Sequence, residues 1–224
     1  MEYKSHIGQD RWVDETYGAK QSGYFLDFGA FDGVTISNTY MLEAVRGWSG
    51  ICVEPNPSFF PTLCRNRTAI AINCALWKES RKKLSFVDAH GLSSFEFTAD
   101  NDSMAEQRTA ATKRTIFVDT LTPTELLERF AAPAFIEYLS LDVEGCELDV
   151  LKALDFSKYT VGLMTIEHNH DTERQQKIRS YLANFGYKAV QNRNDDFFFR
   201  LDVAYVRDPV SVFTEVYATW QIKE

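Results

Sequence analysis

One short segment combines glycine and aspartate in a pattern suited to ligand binding. DFGAFDG at residues 27–33 follows an apolar run and precedes a helical pattern, which predicts a strand–turn–helix. Gly29 permits a tight turn, and Gly33 permits close approach of the backbone to a ligand and of the helix to the sheet. Phe31 stands where dinucleotide-binding turns carry their second glycine, which disfavours a pyrophosphate. Asp27 at the strand end would repel phosphate and suit an amine or sulfonium. The alternative is a glycine-rich turn with no ligand.

A second acidic residue lies at a spacing that fits ligand binding. Glu54 ends the next predicted strand, in VEPNP, 21 residues after Gly33. An acidic residue about 20 residues beyond the glycine turn binds ribose hydroxyls in nucleoside-binding α/β folds. The alternative is a solvated acid at a strand end. Together the two motifs favour a nucleoside with a cationic tail and no phosphates, a description that fits S-adenosylmethionine.

Two later segments place more acids after predicted strands, SLDVEGCE at 140–147 and IEHNH at 166–170. Asp142 and Glu144 could hold a divalent cation or act as a base. The alternative for Glu144 is a charge that favours the N-terminus of the next helix. Asp142, Glu167 and His168 resemble an oxygen-rich metal site with one nitrogen ligand. A histidine satisfied within the core is the alternative for His168.

These residues need a sheet to bring them together. Apolar runs predict strands at 24–28, 50–54, 69–75, 136–141 and 161–166. Helical spacing predicts helices at 34–46, from Pro57 to about 66, at 146–154 and at 172–185. Thr122, Pro123 and Glu125 form a capping box that begins one more helix. Successive β–α units imply a parallel sheet with helices on both faces.

The middle and the end of the chain are less regular. Residues 78–119 hold three possible short strands, at 84–87, 95–98 and 115–119, and residues 99–112 form a polar loop or helix. The last two strands, at 187–191 and 197–206, are joined by a polar run, which suggests an antiparallel hairpin at the far edge. We expect one domain over residues 1–224, with a helical extension at 1–22 and an irregular insert at 78–119 that covers the active-site crevice.

Composition limits the partners. The chain has 224 residues, enough for one domain with a sizeable core, and a net charge of −8, so we expect no nucleic-acid partner. It shows no secretory signal and no run of the roughly 18–20 apolar residues that a membrane span needs. Its four cysteines form no CxxC pair and are expected to be buried, reduced thiols, which favours a cytoplasmic location.

Three blocks carry a family resemblance: GYFLDFGA at 23–30, VEPNP at 53–57 and YLSLDVEGCEL at 138–148. Together they resemble the FkbM-type S-adenosylmethionine-dependent methyltransferases over residues 8–200. Ser37-Asn38-Thr39 followed by Leu42-Glu43 resembles a subgroup of that family. The resemblance implies a Rossmann-like class I methyltransferase fold, an α/β sheet of seven mostly parallel strands whose last strand is antiparallel. It also implies methyl transfer to a hydroxyl oxygen of a sugar or polyketide.

The candidate site residues fall into three groups. The cofactor set is Asp27, Gly29, Ala30, Phe31, Asp32, Gly33, Asn38, Glu54, Pro55, Asn73, Cys74, Ala75, Ser93 and Asp142. The catalytic set is Asp142, His168 and Glu144, and the metal set is Asp142, Glu167 and His168. Ser140 and Thr122 depart from the lysine and aspartate that many family members carry, and Asn73-Cys74-Ala75 lacks an acidic adenine partner. These departures leave the acceptor and the base open.

The resulting hypothesis is an O-methyltransferase that uses S-adenosylmethionine and a small-molecule or glycan hydroxyl acceptor. Mg²⁺ or Mn²⁺ on Asp142, Glu167 and His168 would activate the hydroxyl. A metal-free variant uses His168 or Asp142 as the base. The competing hypotheses are a non-catalytic S-adenosylmethionine-binding module, an enzyme acting on a polyketide or lipid-type hydroxyl, a nicotinamide oxidoreductase and a nucleic-acid methyltransferase. The sequence leaves the oligomeric state undetermined.

Overall fold

The computed structural model describes residues 2–89, 93–98, 105–111, 114–192 and 194–220. The strands in these ranges are β1 (Tyr24–Phe28), β2 (Ser49–Val53), β3 (Ile70–Ile72), β4 (Ala75–Leu76), β5 (Lys83–Asp88), β6 (Ser94–Phe95), β7 (Arg114–Leu121), β8 (Phe135–Leu141), β9 (Thr160–Glu167), β10 (Tyr187–Asn192) and β11 (Asp195–Arg200). The helices are α1 (Gln9–Thr16), α2 (Tyr40–Arg46), α3 (Phe60–Asn66), α4 (Ala105–Ala111), α5 (Pro123–Arg129), α6 (Glu147–Lys152), α7 (Thr172–Ala183) and α8 (Pro209–Trp220).

The larger sheet of the described chain has seven strands in the order β10-β11-β9-β8-β1-β2-β3. Strands β3, β2, β1, β8 and β9 pair in parallel, and β11 runs antiparallel to both β9 and β10. The predicted α/β fold with an antiparallel last strand is therefore confirmed. That strand lies inside the sheet, between β9 and β10, and β10 forms the edge. All parallel strands end on the same side, which brings their carboxyl-terminal residues together.

Alternating side chains on β1 divide the core into two layers. Leu26 and Phe28 join the buried cluster of α5, α6 and α7, whereas Phe25 joins the cluster of α1, α2, α3 and α8. Successive side chains of a strand point to opposite faces, so helices cover both sides of the sheet. Such burial on two faces explains why these strands appear in the sequence as continuous apolar runs.

A smaller sheet begins directly after β3. Its order is β4-β7-β5-β6, with β5 antiparallel to β7 and β6. The predicted strand at 69–75 is divided, because β3 stays in the larger sheet while β4 leaves it to pair in parallel with β7. The predicted loop or helix at 99–112 contains α4, and residues 99–104 and 112 lie outside the described residues.

The helix predicted at 34–46 begins only at Tyr40. Before it, the Asp32 carboxylate accepts the backbone N–H of Thr35, and Ile36 has a positive φ of 49°. A β-branched residue in that conformation is incompatible with a continuing helix. The prediction is therefore wrong over residues 34–39, where side-chain hydrogen bonds replace helical ones.

Both ends of the described chain carry helices that pack together. Trp12 of α1 is fully buried and donates its indole N–H to Pro209 O at the start of α8, 2.9 Å away. The sequence patterns do not predict α8, and the strand expected at 197–206 ends at Arg200. Cys52, Cys74 and Cys146 are buried as expected, but Cys64 is exposed. Among the described residues, no helix is long and apolar enough to cross a membrane.

Candidate active site

Two adjoining cavities open where the parallel strands end. The first, of about 160 Å³, is bordered by the ends of β1, β2 and β8 and by residues of the smaller sheet. The second, of about 290 Å³, is bordered by the ends of β8 and β9, by the N-terminal residues and by the turn before β11. Four residues line both cavities, namely Ile36, Asn38, Ser140 and Asp142. A ligand in either cavity would therefore meet these four residues.

The turn after β1 is tightly packed against β8. Gly29 has φ +93°, and a Cβ added there would lie 1.8 Å from Asp142 O, so only glycine fits. The backbone N–H groups of Gly29 and Ala30 both donate to Val53 O at 3.0 Å. This turn exposes Gly29, Ala30 and Phe31 to the first cavity. The sequence pattern thus predicts the turn and its glycine correctly.

Asp32 and Gly33 shape the loop behind this turn. Asp32 accepts the backbone N–H groups of Val34 and Thr35 at 2.9 and 2.8 Å. Gly33 has φ +83°, and a Cβ there would lie 2.7 Å from Leu63 and Arg67. Gly33 therefore permits close packing with α3 rather than close approach to a ligand.

Asp27 lines the first cavity and forms an ion pair with a buried cation. Its Oδ2 accepts from Thr39 Oγ1 at 2.5 Å and lies 3.6 Å from Nη1 of Arg67, whose side chain is fully buried. Burial raises the pKa of Asp27, and Arg67 opposes that rise. Arg67 also donates to Glu43 and to Gly33 O, at 2.5 and 3.2 Å. It is a central residue of the site that no sequence pattern predicts.

Glu54 is a buried hydrogen-bond acceptor on the wall of the first cavity. Its two oxygens accept the backbone N–H groups of Phe31 and Asn56, at 2.9 and 2.7 Å. Burial raises the pKa of Glu54 to about 8. Neighbouring Pro55 also lines the cavity, whereas Asn73 Nδ2 donates to Glu54 O at 2.7 Å from behind it.

The smaller sheet supplies the facing wall. Ala75 and Ser93 line the first cavity as predicted, together with the aromatic rings of Phe86 and Phe95. Ser93 Oγ accepts from Ala89 N at 3.0 Å, which ties this wall to the end of β5. Cys74 is packed in the core instead.

An acidic cluster marks the boundary of the cavities. Asp142, Glu144 and Glu167 each offer a carboxylate oxygen, and these oxygens lie within 4.8 Å of one another. Asn169 Nδ2 donates to Glu167 at 2.9 Å and to Glu144 at 3.4 Å. Burial raises the pKa of both Asp142 and Glu167, and their mutual repulsion adds to the rise for Glu167. This electrostatic strain would be relieved by a bound cation.

His168 lies away from this cluster. Its Nε2 is 3.2 Å from Gln175 Nε2 and 4.0 Å from Asp196 Oδ1, and burial lowers the pKa of its ring. His168 follows Glu167, the last residue of β9, and its ring lies against Gln175 of α7 rather than in either cavity. The structure therefore does not bring together the predicted metal ligands Asp142, Glu167 and His168. The three side chains that lie close together are Asp142, Glu144 and Glu167. His170, not His168, lines the second cavity.

The sequence matches a known protein family. The family described as the methyltransferase FkbM domain matches residues 27–189. The chain belongs to the FkbM methyltransferase family. It is thus an S-adenosylmethionine-dependent methyltransferase, which confirms the resemblance and the cofactor predicted from the sequence.

Solved structures of several proteins match the chain, among them the three that follow. A methyltransferase from Pyrococcus furiosus is 11% identical, over 89% of this chain and 87% of that one, with a TM-score of 0.45. A precorrin-6y C5,15-methyltransferase from Geobacter metallireducens GS-15 is 9% identical, over 85% and 84%, with a TM-score of 0.43. M. jannaschii TYW2 in complex with AdoMet is 12% identical, over 90% and 79%, with a TM-score of 0.41. No curated protein matches the sequence.

Proposed function

We propose that this FkbM domain transfers the methyl group of S-adenosylmethionine to a hydroxyl oxygen of a sugar or a similar small hydroxylated molecule. The observation that carries the proposal is the shared wall of the two cavities, formed in part by Asn38, Ser140 and Asp142. The cofactor would occupy the first cavity, with its ribose hydroxyls on Glu54 and its sulfonium towards the shared wall. The acceptor would occupy the second cavity, and such alignment can supply about 7–11 kcal/mol of the barrier reduction.

The acidic cluster supports assistance by Mg²⁺ or Mn²⁺. Carboxylate oxygens are the ligands that these ions prefer. Asp142 Oδ1 is buried and has no hydrogen-bond partner in the described part of the chain, so it suits a bound cation. The ligands would be Asp142, Glu144 and Glu167. When bound, a divalent cation supplies Lewis acidity that makes a hydroxyl a better proton donor.

The protein residues have distinct parts in this proposal. Asp142 faces both cavities and would accept the hydroxyl proton in a metal-independent reaction. Asn169 would hold Glu144 and Glu167 in place through its amide. His168, buried against Gln175, would support the turn after β9 rather than touch substrate. An overall charge of −8 favours such an acceptor over nucleic acid.

Manganese binding tests the cation site without an acceptor. We expect electron paramagnetic resonance titration of the full chain with S-adenosylhomocysteine to show one Mn²⁺ site. Asp142→Asn should weaken binding at least tenfold, since it removes the unpartnered carboxylate. Glu173→Gln, an exposed change on α7, is the matched control and should bind as the wild type does. Equal Mn²⁺ binding by D142N and the wild type would contradict the proposed site.

Product formation separates the enzyme from a binding module. The full chain is incubated with S-adenosylmethionine and methyl α-D-glucopyranoside, and methylated sugar is measured by mass spectrometry. Transfer that stops in excess EDTA and resumes with Mn²⁺ supports the metal-assisted reaction. Full turnover in EDTA would exclude it and leave Asp142 as the base. Cofactor binding with no methylated sugar would count against the sugar acceptor.

A further inference from the structure

The second cavity is completed by residues outside the matched family domain. His6, Ile7 and Gln9 line it from the N-terminal side, and Asn194 and Asp195 line it from the start of β11. The family match spans residues 27–189, so all five lie beyond it. The walls towards the cofactor come from the family domain, whereas this outer wall belongs to the flanking segments of this chain.

Buried side chains and hydrogen bonds hold this outer wall in place. In the N-terminal strap, which we define as residues 4–10, Asp10 is fully buried and accepts the backbone N–H groups of Lys4 and Ser5 at 2.6 and 3.3 Å. Gln9 Nε2 donates to Asp195 Oδ2 at 2.8 Å, and both side chains are buried. The strap is therefore attached directly to β11, and Gln9 and Asp195 both line the second cavity.

The lining is acidic and polar. Among the described residues that line the second cavity, the charged side chains are the carboxylates Asp142, Glu167 and Asp195, with His6 and His170 beside them, and lysine and arginine are absent. An anionic group placed there would meet buried acidic groups without a cationic partner, which is unfavourable in a desolvated site. Asp195 stands outside the acidic cluster, so a divalent ion bound to that cluster would not pair with it directly.

We propose that the second cavity accepts a neutral or positively charged hydroxylated ring, and that Asp195, held by Gln9 of the N-terminal strap, selects it over anionic counterparts. The inference rests on the proposed function, because the ring would present its hydroxyl at the wall shared with the cofactor. Hydroxyl and ammonium groups can donate to carboxylates, whereas a phosphate dianion or an ionised carboxylate has no proton to donate.

Three sugar probes test the selection on the full chain saturated with S-adenosylhomocysteine. Dissociation constants are measured by saturation-transfer NMR for methyl α-D-glucopyranoside, methyl 2-amino-2-deoxy-α-D-glucopyranoside and glucose 6-phosphate. We expect the first two to bind and the phosphate to bind at least tenfold more weakly. Asp195→Asn should weaken the amino sugar at least fivefold and the neutral sugar less, because the asparagine oxygen still accepts from hydroxyl groups but carries no charge. Asp119→Asn, exposed on β7, is the control and should change neither.

Each outcome bears on a defined claim. Failure to bind S-adenosylhomocysteine would overturn the proposed function and this inference together. Normal S-adenosylhomocysteine binding with glucose 6-phosphate bound as tightly as the other sugars, or with D195N unchanged, would overturn the inference alone. Normal S-adenosylhomocysteine binding with no sugar bound would overturn the inference and also count against the proposed sugar acceptor. If D195N does not fold, His6→Ala at the exposed rim serves instead. It should weaken both the neutral and the amino sugar at least threefold, and an unchanged pair would contradict the role of the strap.

Discussion

At the scale of single residues, Glu54 links cofactor binding to pH. Its pKa of about 8 means that the carboxyl is mostly protonated at neutral pH in the free protein. Ribose hydroxyls donate more strongly to a carboxylate than to a carboxylic acid, so cofactor binding should release a proton. The affinity for S-adenosylhomocysteine should therefore rise with pH up to about 8, by at most tenfold per pH unit, and then level off.

Calorimetry between pH 6 and pH 8.5 checks this dependence. Glu54→Gln should bind more weakly at pH 8 and should remove the slope, because glutamine does not titrate. Glu79→Gln, an exposed surface change, is the control and should keep the wild-type slope. A slope that persists in E54Q would assign the proton to another group.

The residue scale also shows what the sequence can predict. Asp142, Glu54 and Gly29 are predictable because each follows or ends a strand, and strand ends meet at one edge of a parallel sheet. The structure does not place His168 with Asp142 and Glu167, because its ring lies against Gln175 of α7. That contact joins two elements, and no local pattern in the sequence marks it. Arg67 carries no such signal, since its partners Asp27 and Glu43 are distant in the chain.

At the scale of elements, Arg67 fixes α3 against α2 and the end of β1. It contacts the buried carboxylates of Asp27 and Glu43 and donates to Thr39 Oγ1 at 2.9 Å. Arg67→Met would leave two buried acids without their cation, which should cost about 3–5 kcal/mol of unfolding free energy. Urea denaturation measures this cost.

Arg65 on the same helix gives the matched control. Its side chain contacts only Thr62 among the hydrogen bonds described, at an exposed position. Arg65→Met should therefore change the unfolding free energy by less than about 0.5 kcal/mol. Equal destabilisation by the two variants would show that the loss reflects helix α3 itself rather than the buried ion network.

Some elements follow from local sequence patterns, and others depend on contacts with distant parts of the chain. β1, β8, β9 and the start of α5 follow from local patterns, and Thr122 Oγ1 accepts from Glu125 N at 3.2 Å as its capping box predicts. The departure of β4 to the smaller sheet and the packing of α8 on α1 depend on partners far away in the chain. Periodicity within a short window contains no information about such partners.

At the scale of the whole molecule, the sheet places two cavities side by side, and the smaller sheet and the N-terminal strap cover them. All residues that line the first cavity, including Ser93 and Glu144, lie within the family domain at residues 27–189. Segments outside that domain complete the second cavity. This division fits the proposed function, in which the family domain would bind the cofactor and the flanking segments would select the acceptor.

A crystal structure of the complex with S-adenosylhomocysteine would show how the two cavities are used. We expect the nucleoside in the first cavity, with its ribose hydroxyls on Glu54 and its sulfur facing the wall formed by Asn38, Ser140 and Asp142. An acceptor oxygen in the second cavity would then face the methyl position. A ligand outside the first cavity, or a sulfur turned away from that wall, would contradict the proposed function.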